Sequence, residues 1–167
     1  MKRVLRSTSG FSLIEVVLAL GVTAFCLFAI LGMFPVALKT QQTSVDQTTA
    51  NEILTQILAD LRADVRLPPG QASKEQVSGF NLKGHWAAVT TPDTIYFTND
   101  GDQTPAGGVN VSPVPSDAVF RAKITYLFPP TSTTSLAGIT ITWPAQVDPA
   151  TGVPAGKVET FIAVNRQ

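Results

Sequence analysis

From Phe11 to Leu38 the chain runs 28 residues with one charged side chain, Glu15. No other feature constrains the fold as much. An apolar run of this length cannot be a surface helix of a water-soluble domain. A bilayer core about 30 Å thick takes about 20 apolar helical residues, so this run is long enough to span it. Lys2, Arg3 and Arg6 precede it with no acid among them. That charge bias places the N-terminus in the cytoplasm and the remainder on the other side.

An ordinary secretory signal would have a shorter apolar core of about 7–15 residues and a small-residue cleavage site. Here Phe25, Cys26, Leu27 and Phe28 continue the run where such a site would fall. A lipoprotein reading of Cys26 fails for want of Gly or Ala directly before it; Cys26 reads as a small apolar side chain. Of the 74 apolar residues, 25 lie within positions 1–38 and 49 in the other 129, so the apolar excess is this one segment.

Glu15 stands out. A carboxylate inside a spanning helix costs at least about 2.5 kcal/mol, which marks it as functional by default. Its bland alternative is a side chain that snorkels to the membrane surface.

Past the apolar run, Lys39 to Leu67 continues as a helix. Ile53, Ile57 and Leu61 recur at four-residue intervals, as do Leu54 and Leu58, and Leu61 and Val65. This stripe predicts a face that docks on the chain's own sheet. Asp60 and Asp64, beside Arg62 and Arg66, read as part of the solvated face. Pro68-Pro69-Gly70 ends the helix. Phe11 to Leu67 is 57 residues, about 85 Å if helical throughout.

Residues 68–167 read as a β domain. Val119–Phe128 alternates, with Phe120, Ala122, Ile124, Tyr126 and Phe128 on one face and Arg121, Lys123 and Thr125 on the other. Gly138–Trp143, Val158–Val164 and Thr94–Thr98 are further strands, and Trp86–Val89 a short fifth. Residues 129–134 form the loop of a hairpin between Val119–Phe128 and Gly138–Trp143. A sheet with one apolar face must bury it, and the helix stripe is the available cover. The fold class is therefore α+β: a long N-terminal helix packed on a C-terminal antiparallel sheet.

Little in the composition points to catalysis or nucleic acid. Lys plus Arg and Asp plus Glu both number 12, and beyond residue 38 there are 9 basic and 11 acidic residues, so no basic patch calls for nucleic acid. One cysteine excludes an internal disulfide framework and a multi-cysteine zinc site. His85 is the single histidine and has no catalytic constellation around it. Gly-x-Ser-x-Gly, Walker and His-Glu-x-x-His motifs are absent, and the chain is not expected to be an enzyme. Asn99-Asp100-Gly101-Asp102-Gln103 gathers oxygen ligands around a turn, with Asp100 and Asp102 a weak calcium candidate. The twelfth loop position carries no Glu, and the competing reading is an acidic turn with Gly at positive φ. No cofactor is otherwise expected.

The string Gly10-Phe11-Ser12-Leu13-Ile14-Glu15-Val16, after a basic leader and before a long apolar helix, resembles the class III signal sequence of type IV pilins and type II secretion pseudopilins. The likeness covers roughly residues 2–38. It implies a cytoplasmic leader, residues 1–10, cut by a prepilin peptidase between Gly10 and Phe11. Phe11 would become the N-methylated first residue. Glu15 matches the family's assembly carboxylate, which pairs with the terminal amine of a neighbouring subunit. Residues 11–38 would form the transmembrane or filament-core helix, 39–67 its amphipathic extension and 68–167 the sheet domain of a pilin fold.

Many major pilins carry Pro at the position of Gly32, whereas here Pro35 follows three residues later, so a bend or melted turn is expected near 32–36. The final strands are similar to those of the I-type minor pseudopilins and their pilus counterparts; the alternative is that the whole chain resembles a lineage-specific prepilin cassette of the kind seen in Verrucomicrobia. The resemblance implies a single-pass inner-membrane protein with an extracytoplasmic C-terminal domain, whose partners are the prepilin peptidase, inner-membrane lipid, sibling pilin or pseudopilin subunits, an assembly platform protein and a separate ATPase. It implies a filament subunit, minor or at the tip. The rival function is a monomeric membrane-anchored binding domain that never polymerises.

Overall fold

The computed structural model describes residues 10–64, 79–82, 91–126 and 134–165. Helix α1 covers Leu13–Asp64, and four strands follow: β1 Asp93–Phe97, β2 Phe120–Tyr126, β3 Thr134–Trp143 and β4 Gly156–Asn165. The class is α+β, as the pattern requires. Contacts divide the chain into two units, residues 1–42 and 43–167.

In the first unit α1 begins at a capping box. The Glu15 amide donates to Ser12 Oγ at 3.3 Å, and the Ser12 amide donates to Glu15 Oε2 at 2.8 Å. Two helix-start donors are thereby satisfied reciprocally. The helix then continues without interruption through Gly32 and Pro35, so the melted turn expected near 32–36 is not there. Pro35 lacks an N–H, which removes one intrahelical bond, while its neighbours keep helical conformation. Thr23 and Thr40 turn their hydroxyls back to the carbonyls of Ala19 and Val36, at 2.7 and 3.0 Å. That leaves no hydroxyl donor searching for water along an apolar surface.

In the second unit the same helix carries the stripe the spacing predicts. Ala50, Ile53, Ile57 and Leu61 are buried, with Leu54 and Leu58 packed beside them. They meet Ile95 and Phe97 of β1, Phe120, Ala122 and Ile124 of β2, Ala137, Ile139, Ile141 and Trp143 of β3, and Ile162 of β4. The sheet is antiparallel in the order β1-β2-β3-β4. β2 and β3 pair antiparallel as expected, with Ala122 opposite Ile141 and Ile124 opposite Ile139; residues 129–133 of the expected loop lie outside the described residues. Trp143 meets Phe120 edge-on, ring centres 5.8 Å apart. Across from Trp143 stands Gly156, where any Cβ would overlap the indole.

Strand limits differ from the alternation pattern. β3 starts at Thr134 rather than Gly138, and β4 at Gly156 rather than Val158, because the two pair along their whole length. Cross-strand partners set strand ends, and a single strand's own pattern does not display them. Thr134 therefore belongs to β3 and not to the preceding loop. β1 lies one residue earlier than expected. Helix residues 65–67, the strand at Trp86–Val89 and Phe128 lie outside the described residues.

Two charged side chains are buried: Asp60, expected on the solvated face of the helix, and Arg121, on the face of β2 opposite its apolar residues. Asp60 is 7% exposed and accepts a hydrogen bond from the Phe80 amide at 3.2 Å, tying residues 79–82 to α1. Arg121 is 8% exposed, because residues 111–118 and 144–148 cover its face of the sheet around Tyr96, Ala118 and Ala145.

Candidate functional site

The sequence-derived site residues fall into three places. Gly10, Phe11 and Glu15 lie within six consecutive positions at the start of α1. Gly10 and Phe11 precede the helix and are exposed, Phe11 to 89%. The capping box explains this local geometry: Ser12 takes the cap position, so Gly10 and Phe11 lie just before the first helical residue. Phe11, Glu15, Ala19 and Thr23, four residues apart, line one shallow groove with Val16 and Leu20. The Glu15 carboxylate is the one charged group on that face, and small Ala19 keeps its flank low.

Ser12 is the residue the sequence reading passed over. The signal was present as Ser-x-x-Glu before an apolar run, a helix-start pattern. Glu15 consequently has a local role in addition to any role between chains.

Gly32 and Pro35 lie well inside α1, exposed, and assemble no site with other residues. From Leu13 to Leu38 the large apolar side chains point outward: Leu13, Ile14, Val17, Leu20, Phe25, Phe28, Ile30, Met33 and Phe34 are all exposed. The helix is long and apolar enough to cross a membrane. Cys26 lies exposed within it as a free thiol.

Asp100 and Asp102 occupy a tight turn. The Thr98 amide donates to the Asp102 carbonyl at 2.8 Å and the Gly101 amide to the Thr98 carbonyl at 3.2 Å. Gly101 has φ +83°, a left-handed conformation that favours glycine. A Cβ there would press on Thr49 at 3.3 Å, so the turn is shaped by its seat on α1. Both aspartates are exposed. Among the described residues no three His, Cys, Asp or Glu side chains converge as metal ligands. His85 lies outside the described residues.

Two polar clusters in the sheet domain have no signature in the sequence. The Asp93 carboxylate, fully buried, accepts from Tyr126 Oη at 2.9 Å and from Asn110 Nδ2 at 3.3 Å. It fastens the loop after β1 to β2. On the opposite face, Arg121 pairs with Asp148 at 3.1 Å and stacks over the Tyr96 ring, 5.6 Å from its centre. The Asp148 carboxyl is held below its ordinary value first by the Ala150 amide that it accepts from and then by Arg121, against a counteracting effect of burial. Glu159, on β4, is held below its ordinary value by Lys157 and then Thr140. Both clusters hold loops to strands.

No protein-family profile, curated protein or solved structure matches the chain. The fold therefore defines a class only: an α+β protein whose long N-terminal apolar helix could cross a membrane, and whose second half packs on a four-stranded antiparallel sheet. That arrangement is compatible with a pilin-like fold.

Proposed function

We propose that the chain is a prepilin-type structural subunit. It is inserted in the inner membrane, cut after Gly10 by a prepilin peptidase, N-methylated on Phe11, and taken into a type IV pilus-like or type II secretion pseudopilus filament as a minor or tip subunit. The observation that carries this reading is the exposed apolar helix from Leu13 to Leu38, with a single carboxylate next to an accessible Gly10–Phe11 bond. Such a surface requires lipid first and apolar neighbours afterwards.

Within this reading the chemistry of the site follows from charge. Cutting after Gly10 converts the Phe11 amide nitrogen into an α-amine, mostly cationic at neutral pH since its unperturbed pKa is about 7.7–8.0. A cation and a carboxylate, both costly alone in apolar surroundings, gain by meeting. Glu15 of one subunit meets the Phe11 amine of its neighbour, and the pair sets the axial register of adjacent helices. The capping bond from Ser12 holds the carboxylate at the helix start until then. The platform protein and a separate ATPase drive assembly, and the sheet domain faces outward. The subunit is structural, with no catalytic role and no cofactor.

Intact mass of the protein made beside its peptidase tests the reading. The expected product lacks Met1–Gly10 and carries one added methyl group. Retention of the leader overturns it. In the same cells Glu15→Ala is expected to be processed and yet excluded from filaments. A variant that enters filaments as well as the parent overturns the register role, and a processed parent that never leaves the membrane favours a monomeric anchored domain.

A further inference from the structure

The two edges of the sheet are treated differently. The outer edge of β1 is closed by the chain itself. The Asn110 amide donates to the Thr94 carbonyl at 2.8 Å, and the Thr104 amide to the Tyr96 carbonyl at 3.0 Å. The Thr94 amide donates to Asn110 Oδ1 at 2.9 Å, and Phe97 bridges Gln103.

The outer edge of β4 has nothing equivalent. Among the described residues, Gly156–Asn165 bonds inward to β3 and no backbone group of the strand bonds outward. Edge strands are normally blunted by shortness, Pro, a bulge or inward-pointing charge. β4 is 10 residues long, contains no Pro, and keeps unbroken register with β3 from Gly156 to Asn165. Its charges, Lys157 and Glu159, neutralise each other at 2.8 Å. Phe161 is 68% exposed because its cross-strand partner is Gly138, which offers no side chain to cover it.

We propose that the free edge of β4 pairs with β4 of a second copy of this chain, antiparallel about a two-fold axis at Phe161. An outward row of alternating N–H and C=O groups is matched by another extended strand. The strand's own sequence is self-complementary in this register. Phe161 faces Phe161 of the other copy, so each exposed ring covers the other. Thr160 falls opposite Ile162, Glu159 opposite Ala163 and Lys157 opposite Asn165, which sets no like charges against each other. The interface is isologous and joins two four-stranded sheets into one of eight. It is separate from the helix packing of the filament reading and does not depend on it.

The test uses the full chain purified in detergent with Cys26→Ser, under mild oxidation. Phe161→Cys is expected to give a disulfide-linked dimer, while Asp117→Cys, also at an exposed position of the sheet domain, gives only background. Glu159→Cys alone and Ala163→Cys alone are expected to stay monomeric, and an equimolar mixture of the two to cross-link. Association through the apolar helices would not produce that mixture dependence. Phe161→Lys is expected to abolish the β4 dimer by setting like charges across the axis. Monomeric Phe161→Cys chains overturn the proposal. So does cross-linking of Glu159→Cys alone at the level of the mixture, or of Asp117→Cys at the level of Phe161→Cys.

Discussion

One helix serves two surroundings in this molecule. Between Leu13 and Leu38 its large apolar side chains are exposed, whereas Ala50, Ile53, Ile57 and Leu61 form a single buried stripe. Secondary structure is the same in both stretches. Apolar residues all round make a segment that needs lipid or other helices for cover, and apolar residues at a four-residue spacing make a segment that needs one sheet. Back-bonding of polar side chains is common to both stretches: Thr23 and Thr40 in the first, and Thr48 and Thr55 in the second, donate to carbonyls of their own helix, while Asp60 also accepts from the amide of Phe80.

The sharpest way to break the comparison is to make the same truncation in both stretches. Ile57→Ala removes a fully buried side chain between α1 and the sheet and is expected to lower the stability of the sheet domain by about 2–5 kcal/mol. Ile30→Ala, in the exposed stretch, is expected to change it by less than about 0.5 kcal/mol. Urea unfolding of the full chain in detergent, followed by tryptophan fluorescence, measures both. Equal losses would mean that the two stretches are not energetically distinct. Next in size is Gly156→Ala. The added methyl runs into the Trp143 indole, and the repacking is expected to cost about 1–3 kcal/mol in the same assay. An unchanged midpoint would show that the indole swings aside at no cost.

How much of this could be read from residues alone depended on periodicity. The spanning run was legible from its length and its single charge, while the Ile53-Ile57-Leu61 stripe and the alternation of Phe120, Ala122 and Ile124 repeat with the period of their elements and occupy the faces those periods assign. Aperiodic cover was invisible. Alternation puts Arg121 on the polar face of β2, and nothing periodic announces that residues 111–118 and 144–148 fold over that face and bury it. Asp60 fell on the polar side of the helix for the same reason, although Phe80 comes from a segment with no regular pattern. The extra length of β3 and β4 was hidden because each supplies the other's partner. At the helix start the case was the reverse. Ser12-Leu13-Ile14-Glu15 carries a capping box legible from local spacing alone, with Ser12 and Glu15 three residues apart at the head of an apolar run.

The smallest expected effect concerns the aperiodic cover, and it sharpens the contrast between stripe and loop. Asp148 is held below the ordinary aspartate value of 3.8 by the Ala150 amide and by Arg121. A carboxyl whose folded pKa is depressed adds stability above its unfolded pKa and loses it as pH falls through the folded one. The contribution is therefore complete at neutral pH and disappears at pH below 3.8. Asp148→Asn keeps the shape but cannot ionise. Its stability at neutral pH is expected to be slightly below that of the parent, and its loss of stability on acidification shallower. Asp148 is 54% exposed, so solvent screens the pair and the difference stays small. The apolar stripe has no titrating group, and the Ile57→Ala deficit is expected to be the same at neutral pH and at pH below 3.8. Urea midpoints across that range separate the two kinds of cohesion. Parallel pH profiles for the parent and Asp148→Asn would show that the Arg121 latch contributes nothing to holding residues 144–148 on the sheet.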